Sequence, residues 1–175
     1  TVTHAHTATG KTSRTEVYTY TYDEKDRVST VKHKLGSTEV TLASYTYDKF
    51  GRMATKNLHG SSTNQLAYSY NIRSWLTGIS STKFTQTLGY GSNYNGNISS
   101  MNWNANGTSH SYTFTYDGVG RMLNATHGAG NFTEKVTAYD KNGNIKGLQR
   151  YGSDLIDDLT YTYSGNQVTR VDDAT

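Results

Sequence analysis

Leu42-Ala43-Ser44-Tyr45-Thr46-Tyr47-Asp48-Lys49-Phe50-Gly51-Arg52-Met53-Ala54-Thr55-Lys56-Asn57-Leu58 reads as one complete β-hairpin. Large and small residues alternate up to Asp48, which is the strand signal, so Tyr45 and Tyr47 share one face and Thr46 takes the other. Asp48-Lys49-Phe50-Gly51 is a turn. Aspartate at its first position bonds the amides that follow. Glycine at its fourth accepts the positive φ that closes a type I turn with a bulge. Arg52-Met53 starts the return strand.

The same phrase recurs along the chain. Tyr20-Thr21-Tyr22-Asp23 leads to Val28, Tyr68-Ser69-Tyr70-Asn71 to Leu76, and Phe114-Thr115-Tyr116-Asp117, with Gly120-Arg121, to Met122. Looser copies run from Tyr90 and Tyr94 to Ile98, from Ala138-Tyr139-Asp140 through Gly143 to Ile145, and from Tyr161-Thr162-Tyr163 to Val168. With Met53 included, successive aliphatic anchors stand 25, 23, 22, 24, 23 and 23 residues apart. A sustained period marks an array of one small unit, and units that cannot bury a face alone must stack on their neighbours. Further reversals are expected at Gly36-Ser37, Gly60-Ser61, Asn106-Gly107 and Gly128-Ala129-Gly130. No helical apolar series appears. The expected fold is all-β: about seven tandem antiparallel hairpins of ~23 residues, some fourteen strands. Open sheets rarely exceed about 10 strands, so a strongly curved open sheet or partial spiral shell is expected. Both ends would be open edges that seek partners, which makes edge-to-edge self-association an expectation.

Composition narrows the classes. The chain has 175 residues and is read as a single array over 1–175. Its 33% hydrophobic content would suit disorder, but 15 tyrosines would not. Tyrosine is expected to be the main core residue, because its ring is apolar and its hydroxyl tolerates water. There is no cysteine and no proline, and a net charge of +3 is scattered without a cluster. Disulfides, cysteine-ligated metals and a nucleic-acid partner are therefore not expected. No apolar run approaches the ~20 residues of a membrane-spanning helix. The sequence opens at Thr1 without Met and stops at Thr175 within repeat-like sequence, which suggests a piece of a longer protein.

Tyr-x-Tyr-Asp-x-x-Gly-Arg-aliphatic at this period resembles the YD-repeat (Rhs) family, best at residues 45–53 and 114–122, then 20–28. The resemblance covers essentially the whole chain. It implies hairpins wound into a spiral that can close as a hollow shell. In bacterial Rhs proteins and the C components of insecticidal toxin complexes such a shell encloses a toxic C-terminal polypeptide. In teneurins it is an extracellular adhesion scaffold. By that resemblance the chain would be extracellular or at a bacterial cell surface. Its partners would be the rest of the parent polypeptide, including an enclosed toxin. The sequence departs from the pattern at Asp26 and Ser74, where Gly is expected, and at Trp75, where Arg is expected. The copy near Tyr90 carries extra Gly and Asn, and the last copy is one residue short. The family's Asp-Pro cleavage signatures have no counterpart here.

No catalytic constellation emerges, so the chain is not expected to be an enzyme, and no cofactor is implied. His4-Ala5-His6 would share a strand face, but at a loose N-terminus and without a third ligand. His33, His59, His110 and His127 fall near expected turns. Asp140-Lys141-Asn142-Gly143-Asn144 misses the calcium-loop spacing. Asp23, Asp48, Asp117 and Asp140 are periodic and should line a rim rather than converge, and Asp154, Asp157 and Asp158 fall in a loop-like stretch, 152–158. Trp75, Trp103, Phe84 and Phe50 break the tyrosine pattern. Trp75 and Trp103 are candidate ligand-binding aromatics for a glycan or protein, the alternative to a scaffold. Arg27, Arg52 and Arg121 should pair with turn carboxylates or lie over tyrosine rings.

Overall fold

In the computed structural model, which describes residues 1–175, the chain forms fifteen strands. They are β1 Val2–His6, β2 Arg14–Tyr22, β3 Val28–Leu35, β4 Thr38–Tyr47, β5 Met53–Leu58, β6 Gln65–Tyr70, β7 Leu76–Ser80, β8 Phe84–Gly89, β9 Ser100–Ala105, β10 Thr108–Tyr116, β11 Met122–His127, β12 Glu134–Tyr139, β13 Ile145–Tyr151, β14 Leu155–Ser164 and β15 Gln167–Asp173. A single 3₁₀ turn, Ser62–Asn64, is capped by the Ser61 hydroxyl. Strand order in the sheet is chain order throughout. The chain divides into two compact units, residues 1–85 and 86–175. Within each, hairpins lie side by side and touch mainly their sequence neighbours. No helix is long and apolar enough to cross a membrane.

Alternation decides the faces. Tyr18, Tyr20 and Tyr22 stand opposite His33, Val31 and Val28, whereas Thr21 stands opposite Thr30 and bonds its hydroxyl at 2.5 Å. Thr46 and Thr55 repeat that hydroxyl pair at 2.6 Å. One face is therefore aromatic and the other a ladder of small hydroxyls.

Six of the two-strand units also carry an irregularity at one fixed place. The register slips by one residue just before the tyrosine that precedes the turn in six hairpins, at Tyr22, Tyr47, Tyr70, Tyr116, Tyr139 and Tyr163. The extra residue follows the anchor, as Ser29 does between Val28 and Thr30. Such bulges bend and twist the strand that carries them.

Three expectations need correction. The N-terminus is not loose: Val2–His6 pairs with Arg14–Tyr18, because it continues the alternation as one more return strand, which brings the count to fifteen. Only the first part of 152–158 is loop. Leu155 opens β14, and Asp157 and Asp158 stand opposite Arg150 and Gln149. Tyrosine is not a buried core either. The buried residues include Ala43, Ala125, Val136 and His127, and no side chain is wholly enclosed. The tyrosine rings are mostly half-buried, because strands that contact only their neighbours have no second layer to cover them.

Candidate functional site

Without a deep core, side-to-side cohesion must come from polar and aromatic contacts, and these concentrate at the aspartate turns. In the Asp48 turn, Oδ1 accepts the amides of Phe50 at 2.8 Å and Arg52 at 3.0 Å. Oδ2 takes the Arg52 guanidinium through Nε and Nη2, each at 2.7 Å. The Asp48 amide donates to the Arg52 carbonyl at 2.8 Å, and Gly51 closes the loop at φ 84°. The Asp23 and Asp117 turns repeat this with Arg27 and Arg121.

Neighbouring positions vary in a way that preserves the bonds. Where Trp75 replaces arginine, the first residue is Asn71, whose neutral Oδ1 accepts the amides of Arg73 and Trp75 without a counter-charge. Where Asn144 replaces arginine, its Nδ2 donates to Asp140 at 2.8 Å. Asp26 and Ser74, in the glycine position, adopt φ 58° and 62°.

These contacts set the charge state of the turns. The Arg27 side-chain hydrogen bond, joined by the Arg27 and Lys25 amides, holds Asp23 at about 2 despite partial desolvation. At Asp48 desolvation opposes ionisation, and the Arg52 and Phe50 hydrogen bonds outweigh it, so its carboxyl is also lowered. The Arg121 amide and guanidinium lower Asp117, and Asn144 lowers Asp140.

The arginines then reach forward into the next repeat. Arg27 lies over Tyr47 at 4.3 Å, Arg52 over Tyr70 at 4.6 Å and Arg121 over Tyr139 at 4.4 Å. Carboxylate pairing and ring stacking thus occur together. Nη1 of Arg52 donates to the Asn71 carbonyl at 3.2 Å, and that of Arg121 to the Asp140 carbonyl at 3.3 Å. Nη1 of Arg27 is buried without a partner.

The tyrosines reach back. The hydroxyls of Tyr47, Tyr70, Tyr116, Tyr139 and Tyr163 donate to the anchor carbonyls of Val28, Met53, Ile98, Met122 and Ile145, at 2.6–2.9 Å. The reason lies in the pairing. Between hairpins the strand register begins two residues past the anchor, at Thr30, Thr55, Ser100, Asn124 and Gly147. The anchor carbonyl lies beyond that ladder, and the phenol supplies its donor. These five interfaces are thus each closed by a backward tyrosine, and three of them by a forward arginine as well.

Tyr45, Tyr68 and Tyr161, one step earlier on the same face, are half-buried, while Tyr20 and Tyr22 at the start of the array are exposed. The copy near Tyr90 takes its register from Asn93-Tyr94-Asn95-Gly96-Asn97-Ile98. Gly96 at φ 95° stands where Gly51 does, which places Asn93 and Asn97 in the aspartate and arginine positions. The spacing of Gly and Asn carried that signal, but the missing charges hid it.

Trp75 and Trp103 fall in different units. Trp75 has Arg73 over its ring at 5.1 Å. Trp103 stacks on Tyr112 at 5.8 Å and on His110 at 5.0 Å, so it is built into the wall rather than presented as a bare platform. Phe84 is half-buried in β8, and Phe50 is exposed at its turn with Lys49 and Arg52 over it. His127 sits at the centre of this cluster, against Trp103, His110, Tyr112 and Phe132, and is buried. Sequence reading placed it at a turn like His59. His4 and His6 do share a face, with ring centroids 6.5 Å apart beside Tyr18. No group of three or more His, Asp or Glu side chains is placed to hold a metal ion.

No protein-family model matches the sequence, and no curated protein matches it. Solved structures do share the fold. The Photorhabdus luminescens Tc holotoxin pore, carrying a mutation in TccC3, superposes with a TM-score of 0.57 at 12% identity, over 92% of this chain and 10% of that one. The crystal structure of TcdB2–TccC3 gives 0.59 at 13% identity, over 92% of this chain and 11% of that one. The chain therefore spans about a tenth of the length of these Tc toxin chains.

Proposed function

We propose that the chain is a non-enzymatic structural scaffold, a stretch of wall in a YD-repeat shell of a secreted or surface-displayed bacterial protein. The complete protein would enclose or display another polypeptide, with a C-terminal toxin as the enclosed partner. One observation carries this reading: the tyrosine hydroxyl of one repeat closes on the anchor carbonyl of the repeat before it, at five interfaces. The turn residues that could serve chemistry are spent on this lateral cohesion. Asp23, Asp48 and Asp117 are each occupied by two amides and a guanidinium, which supports a structural role for these three carboxylates. The fold shared with Tc toxin chains supports the same reading.

The test uses the intact parent polypeptide. Limited proteolysis should spare the segment downstream of the repeats for as long as the repeats stay folded, and expose it when they unfold in acid or denaturant. Digestion of that segment at the rate of the free polypeptide, with the repeats still folded, would rule out enclosure. Digestion of that kind in a cell-wall-bound parent would leave display.

A further inference from the structure

Four of the repeat-defining turns carry an exposed apolar side chain at a central position. Phe50 and Ile72 are 69% and 100% exposed, and Tyr94 and Val119 are 75% and 79% exposed. The turn itself asks for none of them. Its geometry is fixed by the first residue and by the positive φ at the fourth, so the two central positions are open to polar residues. The Asp23 turn uses that freedom with Glu24-Lys25, and the Asp140 turn with Lys141-Asn142. Isolated exposed apolar residues are ordinary. These come as neighbours. The Phe50 turn joins β4 to β5 and the Ile72 turn joins β6 to β7, which places both tips on one rim, about 10 Å apart at ~4.8 Å per strand. In the second unit the Tyr94 turn joins β8 to β9 and the Val119 turn joins β10 to β11, the same relation again.

The Phe50 and Ile72 turns are also prepared for the loss of water. An amide leaving water is costly when nothing accepts it. Here three successive amides of each turn are accepted by its own first residue. Phe50, Gly51 and Arg52 donate to Asp48, and Arg73, Ser74 and Trp75 donate to Asn71. The Asp48 carboxylate is held by Arg52, and Asn71 is neutral, so neither turn carries an unpaired negative charge. Each tip sets a cation beside its apolar residue. Lys49 lies over the Phe50 ring at 5.0 Å, and Arg73 follows Ile72 on the exposed side of its turn. Long basic side chains lay their stems along apolar surface and keep the charge at its polar boundary.

Shape selects the partner. Two convex tips about 10 Å apart offer no continuous apolar core of the kind that a protein interface closes over. A lipid surface needs none, because it is soft, takes up each side chain separately and meets the cations with phosphate. We propose that the rim at Phe50 and Ile72 docks on an anionic phospholipid bilayer. Both side chains enter the acyl boundary, and Lys49 and Arg73 face headgroup phosphates. Docking is separate from the scaffold reading, which stands if this rim touches nothing.

Co-sedimentation of the 175-residue chain with vesicles tests it, using phosphatidylglycerol mixed equally with phosphatidylcholine against phosphatidylcholine alone. Binding is expected on the mixed vesicles at low salt and should weaken in high salt. Phe50→Ser/Ile72→Ser should reduce partition about tenfold, and Lys49→Gln/Arg73→Gln roughly tenfold on the mixed vesicles. Val40→Ser, at an exposed position near the far end of β4, should leave partition unchanged. Circular dichroism checks that each variant is folded. Should the double serine variant unfold, Ile72→Ser alone decides, because its side chain is wholly exposed, and it should reduce partition about threefold. Absence of binding to the mixed vesicles, equal binding to phosphatidylcholine alone, displacement by soluble glycerol 3-phosphate at constant ionic strength, or partition undiminished in the folded serine variants would each overturn the proposal. So would dimerisation through Phe50 and Ile72 in place of vesicle binding, which would assign the rim to a second copy of the chain.

Discussion

Removing a single phenolic oxygen should weaken one interface by a predictable amount. In Tyr70→Phe the ring stays, with its contact to the Arg52 guanidinium at 4.6 Å, and only the 2.9 Å bond to the Met53 carbonyl is lost. That carbonyl lies past the end of the β5–β6 ladder, which begins at Thr55, so no backbone amide takes the phenol's place. A hydrogen bond of this kind contributes about 1 kcal/mol net. Both ring and anchor are half-buried, so water can reach the carbonyl, and the loss should not rise to the larger penalty of a sealed, unsatisfied group. For a chain of this length about 1 kcal/mol lowers the thermal midpoint by roughly 2–4 °C. Urea titration followed by tyrosine fluorescence and circular dichroism measures it. Tyr68→Phe is the control, because Tyr68 shares the face and makes no bond to an anchor. The five anchor-bonded tyrosines are well separated, so their effects should add. Replacing all five would remove about 5 kcal/mol, comparable with the whole stability of a marginal domain. The reasoning is refuted if Tyr70→Phe and Tyr68→Phe are indistinguishable, or if the fivefold variant keeps the parent midpoint.

The turn carboxylates make stability depend on pH in a defined direction. Asp23, Asp48 and Asp117 are lowered in the folded chain, so their contribution is complete above the unfolded carboxylate value of about 3.9 and is lost as pH falls through the folded values, about 2 at Asp23. The urea midpoint should decline between those limits, and Asp48→Asn should flatten that decline. Gly51→Val should destabilise by about 1–2 kcal/mol, since a β-branched residue resists the 84° φ, whereas Asp26→Gly should stabilise by up to about 1 kcal/mol by relieving a left-handed non-glycine residue. Equal midpoints for these two variants would contradict the turn geometry. Trp103→Ala strips the stack from His110 and Tyr112 and should cost about 1–3 kcal/mol, read as a lower midpoint in the same titration.

The periodic features of the fold were legible because they depend on local chemistry. Alternation at Tyr45-Thr46-Tyr47 and the Asp48-to-Gly51 turn need no partner to be recognised. Features that depend on a neighbour were not legible. Val2–His6 has no tyrosine signature of its own, and only pairing with β2 makes it a strand. Asp157 and Asp158 look like a solvated loop until Arg150 and Gln149 stand opposite them. The tyrosines were read as core because ring size suggests burial, yet neighbours alone cannot enclose a ring. At the candidate site, the arginine contacts were foreseeable in kind, but their forward direction was not. The acceptor of the tyrosine hydroxyl is a backbone carbonyl 17–19 residues back, which no side-chain pattern encodes. The Asn93 turn was obscured because its geometry is kept by Gly96 while the identifying charges are absent.

A double-mutant cycle decides whether repeats are clamped to their successors. Arg52→Met and Tyr70→Leu, singly and together, should show a coupling of about 0.5–1 kcal/mol, the size of a partly exposed cation–π contact. Arg52→Met with Tyr47→Leu, the tyrosine of the same repeat, should show none. Coupling to Tyr47 instead of Tyr70, or to neither, would contradict the account.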